Sequence, residues 1–171
     1  MCTTGEFHDI YDELFPLLYR IAYRVTGEST AAEDLCQEAF IRYLQRAQPL
    51  PTSDQAKFWL IRVVRNLSYN YEKRRGRERR ALDRLFHEPR PPNRSREGET
   101  LRAESSRLVQ EALKRVPFKL RTALILREYA GMSYREISRS LRISESNVKV
   151  RVYRAREQLK KILDEEDLDV S

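Results

Sequence analysis

Apolar residues recur every three or four positions along most of the chain, and this spacing predicts helices throughout. The first such run extends from Phe7 to Val25. Pro16 falls inside it, and because proline lacks the amide hydrogen that a helix interior needs, we expect a kink or a helix start there. Since few segments have the composition of strands, the pattern indicates an all-α protein.

The second helix should follow the stop signal Thr26-Gly27 and begin near residues 29–30. Glu33 and Asp34 would then lie in its first turn, where carboxylates suit the helix dipole. Pro49 and Pro51 predict a loop over residues 47–53.

Ser53 or Asp54 can cap the third helix. This helix carries apolar residues from Phe58 to Tyr71 and continues to a basic run over residues 73–80. Its first part therefore suits a protein core, and its last part suits a polyanion.

Residues 88–98 contain three prolines, one glycine and no large apolar side chain, which is typical of an extended, mobile linker. We therefore predict two small helical domains, residues 1–84 and 101–171, joined by a flexible linker over residues 85–100. Beyond the linker, an apolar helical stripe is formed by Leu101, Leu108, Leu113 and Val116, and Pro117 restarts the chain after it.

Residues 132–163 have the pattern of a helix-turn-helix. Ser133 and Glu136 fit a capping box at the first helix, Arg142 and Ile143 form the turn, and Ser144 can cap the second helix. The buried stripe of the second helix is Val148, Val152, Ala155, Leu159 and Ile162, and its outer face carries Lys149, Tyr153, Arg154, Arg156 and Lys160. A basic outer face suits a recognition helix in the DNA major groove; the alternative is a solvated charged helix in a bundle.

The charges are unevenly distributed within a net charge of +7. Residues 1–59 hold five Lys or Arg and nine Asp or Glu, whereas residues 60–96 hold twelve and four. An acidic N-terminal part and a basic middle suggest two kinds of partner, one of them a polyanion.

The chain offers little for cofactor chemistry. Cys2 and Cys36 lie far apart and form no cluster with His8 and His87, so we expect no metal site, no cofactor and no disulfide, with Cys36 packed as a small apolar residue. No catalytic carboxylate pair or activated nucleophile stands out, so we expect no enzyme. We also expect no signal peptide and no membrane insertion, and hence a soluble, cytoplasmic protein.

Four segments resemble the sigma-70 family of bacterial RNA polymerase sigma factors. LRTALILREYAGMSYREIS (residues 120–138) and ISESNVKVRVYRAREQL (143–159) are similar to sigma region 4, which reads the minus-thirty-five promoter element. TGESTAAEDLCQEAFIR (26–42) and FWLIRVVRNL (58–67) are similar to sigma region 2, which docks on core polymerase and melts the minus-ten element. Two short domains without a third resemble the extracytoplasmic-function (ECF) subfamily. Arg142 departs from the family pattern, in which the turn usually has a small residue.

The resemblance implies a fold of a region 2 helical bundle and a region 4 helix-turn-helix, in a protein that directs core polymerase to promoters. It implies three contacts with core polymerase and promoter DNA. Polymerase would be bound by Asp34, Leu35, Gln37, Glu38 and Ile41, most of which share one helix face. The minus-ten DNA would be bound by Leu50, Trp59, Arg62, Arg65, Asn66, Tyr69, Lys73, Arg74 and Arg75. The minus-thirty-five DNA would be bound by Arg142, Ser144, Asn147, Lys149, Val150, Arg151, Tyr153 and Arg154.

These residue types suit those roles. Aromatic rings can stack on unpaired bases while basic groups hold phosphates, although Trp59 could instead be a core residue. In the family, the loop before the melting helix holds a flipped base, so we expect Leu50 in that pocket and Asn66 close to it. In the recognition helix, Lys149 and Arg154 suit guanine edges, and Val150 suits a thymine methyl.

The implied partners are the β′ clamp helices and the β flap of core polymerase, promoter DNA and an anti-sigma factor. The alternative function is a stand-alone helix-turn-helix regulator of the LuxR type, since response regulators share a similar motif. The acidic segment around Asp34 and Gln37 discriminates between the two, because a regulator has no need of a polymerase-docking face.

Overall fold

The computed structural model describes residues 4–86 and 101–169. Within these ranges the chain forms seven helices and no strands, which confirms the all-α prediction. The helices are α1 (Thr4–Thr26), α2 (Ser29–Leu44), α3 (Ser53–Phe86), α4 (Leu101–Arg115), α5 (Phe118–Glu128), α6 (Tyr134–Leu141) and α7 (Glu145–Asp169).

The first three helices form the N-terminal half of the described structure. They pack on one another through buried residues that recur at helical spacing, among them Leu18 and Ile21 of α1, Phe40 of α2 and Leu60 and Val64 of α3. Cys36 is fully buried in this core, as predicted for a small apolar residue. Burial raises the pKa of its thiol to about 12, because the thiolate would lose its hydration.

The last four helices form the C-terminal half. Helix α5 is central, since its residues 121–126 are all buried, and it packs on α4, α6 and α7. Met132, Ile137 and Val148 complete this core. None of the helices in the part of the chain that the structure describes is long and apolar enough to span a membrane.

Several predicted details of the N-terminal half differ from the structure. Of the two outcomes expected at Pro16, a kink or a helix start, the helix start is wrong. Helix α1 passes through Pro16, because Leu14 and Leu18 on either side of it are buried and hold both segments on the same core. Helix α2 begins at Ser29, as expected, but its first turn contains no acidic residue, so Glu33 and Asp34 lie beyond it.

The cap of α3 also differs from the prediction. The amide of Gln55 donates to Thr52 Oγ1 at 3.2 Å, so the capping side chain is Thr52 and not Ser53 or Asp54. Helix α3 then continues to Phe86, two residues into the predicted linker. The rest of that linker, residues 87–100, lies outside the described residues, and the domain boundaries stay a prediction.

The stripe predicted for α4 is only half correct. Leu113 and Val116 are buried, but Leu101 is 84% exposed and Leu108 is 41% exposed. Ala112 and the half-buried Val109 face the core instead. The first turns of α4 therefore extend beyond the surface that α5 and α7 can cover.

Candidate nucleic-acid and protein interfaces

The helix-turn-helix forms through the local signals that the sequence contains. The Glu136 amide donates to Ser133 Oγ at 3.1 Å, and the Ser133 amide donates to Glu136 Oε2 at 2.8 Å. This confirms the capping box. Arg142 ends α6 in the left-handed conformation, with φ 56° and ψ 46°. The Asn147 amide then donates to Ser144 Oγ at 3.1 Å, which confirms Ser144 as the cap of α7.

Helix α7 has one buried and one exposed face. Val148, Val152 and Ala155 are buried, as predicted, whereas Leu159 and Ile162 of the predicted stripe are only half-buried. Of the predicted minus-thirty-five residues, only Arg151 is half-buried. The others are exposed, namely Arg142, Ser144, Asn147, Lys149, Val150, Tyr153 and Arg154. Tyr153 is 65% exposed, so α7 presents a mixed basic and aromatic surface to a partner.

Within this surface, one hydrogen bond and one cation–π contact hold side chains in place. Arg151 Nε donates to Asn147 Oδ1 at 2.9 Å, one turn away on the same helix. Lys149 Nζ lies 5.8 Å from the centre of the Tyr134 ring on α6. These contacts orient the basic side chains of Arg151 and Lys149 near the start of α7 and do not bury their charged groups.

Helix α3 is packed in the core at its start and exposed to solvent further along. Its first part packs in the core, where Trp59 is half-buried between the ring of Tyr43, 6.0 Å away, and the guanidinium of Arg46, 4.7 Å away. Trp59 is therefore mainly a packing residue in this conformation. Further along, Lys73 and Arg74 are exposed, and Arg75 forms an ion pair with Glu28.

Three of the predicted minus-ten residues contact the C-terminal half. Arg62 Nε donates to the main-chain oxygen of Ser140 at 2.9 Å. Arg65 lies 5.6 Å from the centre of the Phe118 ring, and the Tyr69 ring packs on the same phenylalanine at 5.0 Å. Sequence reasoning did not predict these contacts, because they join residues about 50 to 80 positions apart.

A cavity of about 1010 Å³ lies beside the loop between α2 and α3. Leu50 lines it, together with Tyr43 and Arg46. Asn66 does not line it, since it lies thirteen residues after Ser53 and therefore about 20 Å further along α3. Sequence reasoning also missed the wall that α1 supplies, which consists of Glu6, Asp9, Ile10 and Glu13. Their spacing of three or four residues was the available signal.

The predicted docking face on α2 is open to solvent. Asp34 and Gln37 are exposed, and Ile41 is 49% exposed. Glu38 forms an ion pair of 2.8 Å with Arg42, and Leu35 is half-buried beneath the face. An exposed apolar side chain beside acidic and amide groups is suited to a protein partner.

Comparisons with known proteins identify both halves. Residues 10–78 match the family described as Sigma-70 region 2, and residues 106–159 match Sigma-70 region 4. The chain is 36% identical to the ECF RNA polymerase sigma factor SigE of Mycolicibacterium smegmatis, over 85% of this chain, and spans 57% of that relative's length. It is 31% identical to the RNA polymerase sigma factor SigZ of Bacillus subtilis, over 91% of this chain and 86% of that protein.

A solved structure has a similar arrangement of helices. It is the sigma factor RpoE of Bartonella quintana in complex with the anti-sigma factor NepR, with a TM-score of 0.68 and 25% identity. The match covers 94% of this chain and 98% of that one. The chain belongs to the sigma-70 family, in its ECF group, and is an RNA polymerase sigma factor rather than a stand-alone regulator.

Proposed function

We propose that the chain recognises promoters through two DNA-binding surfaces and joins core polymerase through two further surfaces. The observation that carries the proposal is the exposed face of α7, where basic, amide and aromatic side chains follow a capped helix-turn-helix. Helix α7 reads the minus-thirty-five element in the major groove. Lys149, Val150, Tyr153 and Arg154 face base edges, while Arg142 and Ser144 hold phosphates.

The second surface is α3 with the loop before it. Lys73 and Arg74 are exposed and can hold backbone phosphates next to the site of strand separation. The cavity at Leu50 is large enough for a flipped base. Its acidic wall on α1 would accept hydrogen bonds from a base and repel phosphate, which favours a base as its occupant.

Two further surfaces bind core polymerase. The acidic and apolar face of α2 is assigned to the β′ clamp helices. A groove of about 480 Å³ between α4, α5 and α7 is assigned to the β flap, because it has an apolar floor and a charged rim that suit an amphipathic helix. Its lining includes Leu113, Leu124, Tyr129, Leu159 and Leu163 on the floor, and Glu128, Arg156, Lys160 and Asp164 on the rim.

The chain acts in the cytoplasm, where polymerase and promoters are found, and it performs no catalysis of its own. An anti-sigma factor inhibits its activity. The similar RpoE was solved in complex with the anti-sigma factor NepR, which supports a partner of that kind for this chain.

The minus-thirty-five assignment is tested by comparing two basic residues of α7 in polymerase holoenzyme. Arg154 lies on the proposed base-reading face, whereas Lys161 is exposed further along the helix and outside the groove assigned to the β flap. We expect Arg154→Ala to weaken binding to the preferred promoter by about 1–3 kcal/mol and to relax the base preference at one position. Lys161→Ala should leave that preference unchanged. Binding would be measured on a promoter library randomised at the minus-thirty-five element. Equal losses on every sequence would mean that Arg154 contacts only phosphate.

A further inference from the structure

The N-terminal and C-terminal halves of the described chain meet at a polar interface that the sequence pattern does not predict. At one end, Arg62 of α3 donates to the main-chain oxygens of Ser140 and Arg139, at 2.9 and 3.3 Å. Ser140 is fully buried, and its hydroxyl donates to the main-chain oxygen of Phe58 at 3.3 Å. Helix α6 therefore lies directly on the first part of α3.

At the other end of the interface, Arg121 of α5 is only 3% exposed. Its guanidinium pairs with both carboxylate oxygens of Glu72 on α3, one of them at 3.2 Å. It also donates to the main-chain oxygen of Val25 on α1 at 3.5 Å. A two-point pair between charged groups with little exposure is geometrically specific, so it fixes how the two halves meet.

Further contacts join α1 to the C-terminal half. Gln110 of α4 donates to the main-chain oxygen of Arg24 at 2.8 Å. The Arg24 guanidinium itself lies 4.2 Å from the centre of the Tyr129 ring. Gly27, with φ +72°, leaves room for the Lys114 side chain, because a Cβ there would lie 2.6 Å from Lys114 Cε.

This interface occupies side chains that the proposed function assigns to minus-ten DNA. Arg62 donates hydrogen bonds to main-chain oxygens, while Arg65 and Tyr69 pack on Phe118. The docking face on α2 is not involved, since α2 packs on α1 and α3, and Asp34, Gln37 and Ile41 remain exposed.

The same interface brings like charges together. Arg142 and Arg151 of the C-terminal half face Arg62 and Arg65 of α3, and each pair lowers the pKa of the α3 guanidinium, after the larger effect of burial. Repulsion between these arginines opposes the attraction between Arg121 and Glu72. A partner that binds the separated halves would shift the chain towards the open form.

We propose that the free chain is closed by its own C-terminal half, which covers Arg62, Arg65 and Tyr69 of the minus-ten surface and leaves the polymerase-docking face open. Glu72 and Arg121 form the ion pair that holds the halves together, and α6 with Ser140 covers the first part of α3. Core polymerase can therefore bind the closed chain first, and promoter DNA reaches these three side chains only after the halves separate. This inference rests on the proposed role of α3, but closure itself can be measured without DNA or polymerase.

The test uses two variants of the full chain that open the interface from opposite sides. Glu72→Gln removes the charge that pairs with Arg121. Ser140→Gln inserts a longer side chain under α6 and leaves the charge of α3 unchanged. Glu166→Gln is the charge-matched control, because its ion pair with Arg115, at 3.2 Å, lies within the C-terminal half. Thermal melting would show that each variant is folded.

We expect small-angle X-ray scattering to give a compact wild type and control and a larger radius of gyration for both variants. Since the apparent dissociation constant varies inversely with the open fraction, a chain that is open about a tenth of the time binds about tenfold more weakly than its opened form. Ser140→Gln should therefore bind a single-stranded minus-ten oligonucleotide about tenfold more tightly than wild type.

Three results would overturn the proposal: a wild type that is already extended, folded variants that remain compact, or opened variants that bind the oligonucleotide no more tightly. The last result is separated from a failure of the proposed function by Lys73→Ala in the Ser140→Gln background. If that change leaves oligonucleotide binding intact, the assignment of α3 to DNA fails, whereas the scattering result still decides whether the chain closes.

Discussion

Arg142 adopts a backbone conformation that costs stability. Its backbone is in the left-handed region, which glycine adopts freely and which crowds the Cβ atom of other residues. This conformation turns the chain so that the amide of Ile143 donates to the main-chain oxygen of Ser138 at 3.2 Å, which ends α6. The sequence predicted a turn at this position, but it gave no sign that an arginine would take the strained conformation.

We expect Arg142→Gly to raise the free energy of unfolding by about 0.5–1 kcal/mol, because glycine removes the strain at this position. The same change should weaken promoter binding, since it would remove the proposed phosphate contact of Arg142. Arg139→Gly, one turn earlier in α6, is the control and should destabilise by about 1 kcal/mol, as glycine does inside a helix. Urea denaturation checks both values, and equal destabilisation by the two changes would contradict this account of Arg142.

At the scale of elements, local signals predicted the helix-turn-helix better than the longer helices. The caps at Ser133 and Ser144 depend on neighbours three residues away, so the sequence alone could locate them. The path of α1 through Pro16 and the exposure of Leu101 depend on which other helices cover them. Such tertiary effects are not encoded in the spacing of apolar residues.

The capping box should make the stability of α6 depend on pH. The backbone hydrogen bond from Ser133 is the largest cause that lowers the pKa of the Glu136 carboxyl. A group whose pKa is lower in the folded state contributes stability above its unfolded pKa, and this contribution is lost as the pH falls through the folded pKa. Glu136→Gln should therefore be less stable than wild type at neutral pH, and the difference should shrink in acid.

Chemical denaturation at several pH values would measure this difference. Glu157→Gln is a suitable control, because Glu157 is an exposed carboxylate on α7. A gap between Glu136→Gln and wild type that stays constant from neutral to acidic pH would show that the carboxylate charge does not support the cap.

At the scale of the whole molecule, surfaces of different charge suit different kinds of partner. An acidic, partly apolar face on α2 is suited to a protein, and basic faces on α3 and α7 are suited to DNA. The sequence predicted these surfaces from charge and motif. It could not predict that α6 lies on α3, because that interface depends on single polar pairs such as Arg121 with Glu72, and Arg121 is buried next to the apolar residues 123–126 of α5.

The claim that the chain directs core polymerase to promoters is tested most directly by run-off transcription. The assay uses a genomic promoter set and compares core polymerase alone with core polymerase to which the chain has been added. We predict initiation at a distinct subset of promoters that core polymerase alone does not use. Asp34→Arg should abolish this activity by reversing a charge on the docking face, whereas Asp12→Arg, an exposed site on α1, should retain it. If the chain and core polymerase initiate no better than core polymerase alone on every promoter, the account is contradicted.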